Sequence, residues 1–199
     1  MDWIARQNVK EYIIANIDQK QLIDSLAEKI YRLHYDLNNA GIAHGHLHTG
    51  NIYIDANNAL KLIDYDSLYV KGITEEQELE QNYPDYCHPS FGTHQKINAR
   101  SDYFSALLLY LGTKAIANNP VLWGRYKVGF HENFLFTAAD FSDLKNSSVY
   151  KYLRKNNSPE IDELLDILLM YCEEKDPGNL QPFYTYLKNN VQPVAKPVS

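Results

Sequence analysis

The chain has 199 residues, of which 45% are apolar and 22% charged, a length and composition that suit one globular domain with a sizeable core. Its net charge of −6, with no Lys/Arg cluster, argues against nucleic acid and against an anionic membrane surface as partners. Two isolated cysteines, Cys87 and Cys172, exclude a disulfide framework and a Cys-based zinc site, and the absence of a signal-peptide pattern or a membrane-length apolar run reads as cytoplasmic.

Ile17 to Asn39 reads as a long helix. Leu22, Leu26, Ile30, Leu33 and Leu37 recur at three- and four-residue steps, with Asp18 as its N-cap and Gly41 as its stop. Ile52–Ile54 and Leu60–Ile63 are short β-type runs joined by the turn-rich Asp55-Ala56-Asn57-Asn58, and so predict one small hairpin. Lys71 to Pro89 is polar and irregular, a long loop of the functional kind. Ser101 to Ile116 is a strongly apolar helix, buried on most sides. Pro159 to Cys172 is another, with Ile161, Leu164, Leu165, Leu168 and Leu169 in phase. Asn179 to Asn189 reads as a short final helix, and 191–199 as a frayed, Pro-containing tail. The expected fold is mainly α with one small hairpin.

The stretch from Gly41 to Val70 concentrates the polar chemistry. Thirteen positions separate Asn51 from Asp64, room for one short hairpin that returns the chain. Such a return brings an amide and a carboxylate together at one edge, and hard Mg²⁺ takes oxygen ligands of this kind. The plainer reading has Asn51 capping the loop and Asp64 holding backbone amides, with no metal. His44, His46 and His48 alternate, and on an extended segment three imidazoles would face one zinc or nickel ion.

In order along the chain stand His44-Gly45-His46-Leu47, Asn51, the hairpin, Asp64-Tyr65-Asp66, His88-Pro89, Ser101-Asp102-Tyr103-Phe104-Ser105 and Lys175-Asp176-Pro177. This order resembles the C-lobe of a protein kinase-like fold. There a loop H-x-D-L-x-x-x-N is followed by a hairpin and D-F-G. The five positions from His46 to Asn51 match that loop's Asp-to-Asn interval. The stretches Asn119–Trp123 and Phe136–Phe141 look most like a bacterial kinase-like family whose loop reads H-G-D-L-x-x-G-N and whose Asp turn reads D-Y-D.

The resemblance covers 1–190. It implies a hinge-like start at 1–5, a supporting helix over 17–40 and the catalytic-loop and Asp-turn region over 41–66. An activation-type segment over 67–90 and a helical subdomain over 101–190 complete it. By the same resemblance Asn51 and Asp64 hold the metal, Tyr53 lies at the adenine floor, and His48 stands at a loop position that touches phosphate or substrate. His44 and Asp102 would be structural, with Asp102 accepting hydrogen bonds from the catalytic loop around Gly45–His46.

The departures are as informative. His46 occupies the place of the catalytic Asp, which accepts the proton of the attacking hydroxyl, and an imidazole sets no fixed negative charge there. Gly45 stands where many kinases carry an Arg that reads a phosphorylated activation loop, so Thr74, Tyr83 and Tyr86 lack that receiver. Tyr53 places a phenol where the nucleotide base needs room. No Gly-rich loop and no strand Lys in a V-A-I-K context occur in the sequence, so the N-lobe is absent from it.

Three functions stay open. One is a catalytically inactive kinase-like protein, a pseudokinase acting through protein contacts, with a protein partner or an N-lobe from outside the chain. ATP and Mg²⁺ would then bind weakly or not at all. The second is an ATP-dependent protein or small-molecule phosphotransferase whose N-lobe lies elsewhere. The third is a His-cluster metal protein.

Overall fold

A computed structural model describes residues 7–73, 83–90, 96–156 and 158–188. The hinge-like start at 1–5, the frayed tail at 191–199 and Thr74 lie outside the described residues. The fold is mainly helical with small antiparallel sheets. Among the described residues, no helix is long and apolar enough to cross a membrane.

Strand β1 (Gln7–Asn8) leads directly into α1 (Val9–Ala15), which Asn8 caps by a reciprocal exchange with Glu11. Helix α2 covers Lys20–Asn39, three residues later than the sequence periodicity suggests. Asp18 is not its N-cap. The cap is Gln19, without a side-chain hydrogen bond, because Asn16–Gln19 first close a turn that ends α1. At the other end Gly41 takes φ +69°, a left-handed value that favours glycine, and stops α2 as expected.

Strand β2 (Ile42–Ala43) follows, then β3 (Ile52–Ile54), β4 (Leu60–Leu62) and β5 (Tyr69–Val70). The expected hairpin is β3–β4, with Ile52 opposite Leu62 and Ile54 opposite Leu60. Its turn is held by Asp55, whose Oδ1 accepts from the amides of Asn57 and Ala59 at 2.9 Å, while Asn58 takes φ +60°. The sheet is larger than one hairpin. β1 adds a third strand against β3, and β2 pairs with β5 in a separate ribbon. Two-residue strands carry too little periodicity to be read from sequence.

Helix α3 (Tyr103–Asn118) is the centre of the core. Every residue from Tyr103 to Ala117 is buried. Its flanks are α2 and α7 (Pro159–Glu173). A helix apolar all round has to be covered all round. Lys114 is the exception on it, and its Nζ finds Glu160 at 2.9 Å and Asp24 at 3.5 Å. Gly112 lets Phe134 approach, because a Cβ there would stand 2.5 Å from the Phe134 ring. Helices α4 (Val121–Arg125), α5 (Ala138–Ser142) and α6 (Ser148–Asn156) finish the subdomain. Thr137 and Asp140 cap α5 reciprocally.

The expected final helix over 179–189 does not form within the described residues. Two 3₁₀ turns, Pro177–Asn179 and Phe183–Thr185, take its place. Pro182 lacks the N–H that a continuous helix needs, and the buried Phe183 and Tyr184 anchor the chain against α2 and α3. In the long polar loop, Pro84–Tyr86 forms a further 3₁₀ turn.

Candidate functional site

The polar residues singled out from the sequence meet where the loop after β2 runs beneath the β3–β4 hairpin. Asp102, at the N-terminus of α3, is buried, and its carboxylate accepts the backbone amides of His44 and of Gly45, the latter at 2.9 Å. Burial pushes the Asp102 carboxyl above the usual carboxylate range, and the hydrogen bond from the His44 amide works against that push. Gly45 takes φ +78°, and a Cβ there would lie 2.2 Å from the Ser67 carbonyl oxygen and 2.5 Å from Ile97 Cδ1. Position 45 therefore has no room for a side chain of any kind, an arginine included.

His44 is fully buried, and its Nε2–H donates to the Ile63 carbonyl at 2.8 Å. That bond fixes the loop to the residue just before Asp64. Asp64 itself has φ +64°, a strained value for a non-glycine residue, costing about 1–3 kcal/mol. The strain turns its carboxylate back toward the loop. Asn51 Nδ2 donates to the His46 carbonyl at 3.0 Å and reaches Asp64 Oδ2 at 3.4 Å. The same Oδ2 lies 3.3 Å from His46 Nδ1. His46, Asn51 and Asp64 so form a closed ring of contacts.

His48 is buried, and its Nδ1 accepts the Gly50 amide at 3.0 Å. Its ring stacks on Tyr83 with centroids 4.2 Å apart, and the His46 ring packs edge-on at 4.8 Å. Burial pulls the pKa of His48 down to about 4, with the neighbouring His46 and His44 adding to the effect, so it is neutral at pH 7. Tyr53 is half-buried on the face of β3 opposite Ile52 and Ile54, between Asn8 and Lys61 of the flanking strands. A small recess of about 40 Å³ lies beside the loop, with His46, His48, Tyr83, Arg100, Ser101 and Phe104 in its wall.

The hairpin does bring Asn51 and Asp64 together, but through the amide nitrogen. Only that nitrogen can donate to the His46 carbonyl, so the orientation of the amide is fixed. In this arrangement it is the amide nitrogen of Asn51 that contacts the Asp64 carboxylate. The three alternating imidazoles do not converge. Gly45 at positive φ breaks the extended run, His44 turns to Ile63, and only His46 and His48 touch. Among the described residues, no group of three His, Cys, Asp or Glu side chains is placed to hold a metal ion.

Two tyrosines that the sequence raised only as positions for phosphorylation complete the site. Tyr83 covers His46 and His48. Tyr86 is buried, shares a 2.9 Å hydrogen bond with Thr49 and donates to the Glu132 carbonyl at 3.1 Å. Their only sequence signal is two aromatic residues in an otherwise polar loop. Compared with models of known protein families and with curated protein sequences, the chain matches none.

Proposed function

We propose that this chain is the C-lobe of a protein kinase-like protein that does not transfer phosphoryl groups and acts through protein contacts. The observation that carries the reading is the buried tie from Asp102 to the amides of His44 and Gly45. It joins two motifs fifty-eight positions apart, the loop and the start of the apolar helix, in the way the kinase-like resemblance expects.

Inactivity follows from the residues at the loop. A general base must hold the attacking hydroxyl's proton at a site that stabilises the resulting charge. His46 is tied to Asp64 at one nitrogen, and its ring is walled by His48 and Tyr83. No strand Lys or Gly-rich loop in the chain clamps a nucleotide's phosphates. Tyr53 supports the same conclusion from the base-binding side, where a phenol takes up room. A polypeptide partner, or an N-lobe outside this sequence, is the natural occupant of the face that carries Tyr53.

Thermal unfolding with and without ATP–Mg²⁺ tests the reading. The expected result is no shift for the wild type and a gain in Tyr53→Leu. A clear shift for the wild type that disappears in Asn51→Ala would instead point to a working nucleotide cleft.

A further inference from the structure

We infer that His46 is a built-in substitute for a divalent cation, and that its imidazole is what closes the Asn51–Asp64 pair to metal. The inference rests on the kinase-like reading for the expectation of a cation there, but its argument is local. A carboxylate and an amide at a hairpin edge form half of a hard-cation site. Here Asp64 Oδ2 has two nitrogen neighbours, Asn51 Nδ2 at 3.4 Å and His46 Nδ1 at 3.3 Å.

The imidazole is not a loose visitor. Its side chain is only 17% exposed, while that of Asp64 is 41% exposed. Its ring lies against His48 at 4.8 Å and Tyr83 at 5.1 Å, and its own carbonyl holds the Asn51 amide at 3.0 Å. One residue thus fixes the amide's orientation through its backbone and satisfies the carboxylate through its ring. His46 Nε2 is buried with no hydrogen-bond partner among the described residues. The ring is therefore placed by the Asp64 contact and the aromatic wall, not by a second polar anchor. A metal ion approaching Asp64 Oδ2 would have to displace an imidazole ring that cannot swing away without breaking that wall.

The shorter side chain in His46→Ala, and the added carboxylate in His46→Asp, should each open Asp64 to a divalent ion. Mn²⁺ alone, without nucleotide, is the probe, followed by the paramagnetic broadening of its EPR signal and by calorimetry. The wild type is expected to show no saturable binding. Both variants should bind Mn²⁺ at least about tenfold more tightly, with His46→Asp the tighter because ligand charge sets affinity at such sites. Adding Asp64→Asn to either variant should abolish the gain. Far-UV circular dichroism confirms that each variant is folded before it is titrated.

Wild-type binding within about threefold of His46→Ala would overturn the inference, as would folded variants of both kinds that gain nothing. Because no nucleotide is present, the Mn²⁺ titration decides this inference alone, while the kinase-like reading stands or falls separately on the Asp102 tie and the ATP–Mg²⁺ response of Tyr53→Leu.

Discussion

Replacing Asp102 by Ala removes the acceptor of two backbone amides, that of the buried His44 and that of the part-buried Gly45. A buried donor left without a partner costs about 1–3 kcal/mol, so two cost roughly 2–6 kcal/mol. For a chain of this size each kcal/mol lowers the melting temperature by about 2–4 °C, which sets the expected loss at roughly 5–20 °C. Asp102→Asn keeps one acceptor oxygen and turns an N–H₂ group toward the other amide, so it should fall between Ala and the wild type. Gln21→Ala, on the exposed side of α2, serves as control and should stay within about 0.5 kcal/mol. Thermal unfolding followed by circular dichroism at pH 7 reads all three. If Asp102→Ala melts with the control, the carboxylate does not hold the loop, and the tie between the loop and α3 is not what joins the two motifs.

Gly45→Ala meets both a positive φ and a Cβ 2.2 Å from the Ser67 carbonyl, so it should cost about 2 kcal/mol or more in urea denaturation; a neutral result would mean the loop can be rebuilt. Gly112→Ala gains about 1 kcal/mol of helix propensity but drives a methyl to 2.5 Å from the Phe134 ring, and a net loss of stability is expected from the same measurement. Acid should destabilise the fold early. Burial lowers His34 to about 3 and His48 to about 4, from 6.5 in the unfolded chain, so the unfolded state binds more protons in between. The stabilisation these two residues give is present above pH 6.5 and is lost as pH falls toward 4, with ~2 kcal/mol lost for each at pH 5. His34→Leu should flatten the pH dependence between 7 and 5, and an unchanged slope would show that His34 is not the titrating group.

The elements most legible in the sequence were the ones with long periodicity. The stripe on α2 and the unbroken apolar run of α3 placed both helices to within a few residues. Asp55 and Asn58 announced the β3–β4 turn by their side-chain chemistry alone. What escaped was set by tertiary contacts. The two-residue strands β1, β2 and β5 exist only because a partner strand lies beside them. The last segment looked helical by composition, yet Pro182 and the pull of Phe183 and Tyr184 into the core won.

At the site, the thirteen-position spacing anticipated the meeting of Asn51 and Asp64 at the hairpin edge. It could not tell which atom of the Asn51 amide would face the carboxylate, because that depends on a hydrogen bond to a backbone carbonyl. Nor could it foresee that Tyr83, on a loop thirty-five positions away, would stack on His48.

Phosphoryl transfer is the measurement that tests the account most directly. The protein is incubated with γ-labelled ATP, Mg²⁺ or Mn²⁺ and generic protein and small-molecule acceptors, alongside an Asp64→Ala variant. Under the proposed reading His46 stands where a kinase carries its base, and lack of that positioned carboxylate alone removes about 10²–10⁴ in rate. The expected result is no label above background in either protein. Label transferred by the wild type and lost in Asp64→Ala would contradict the account.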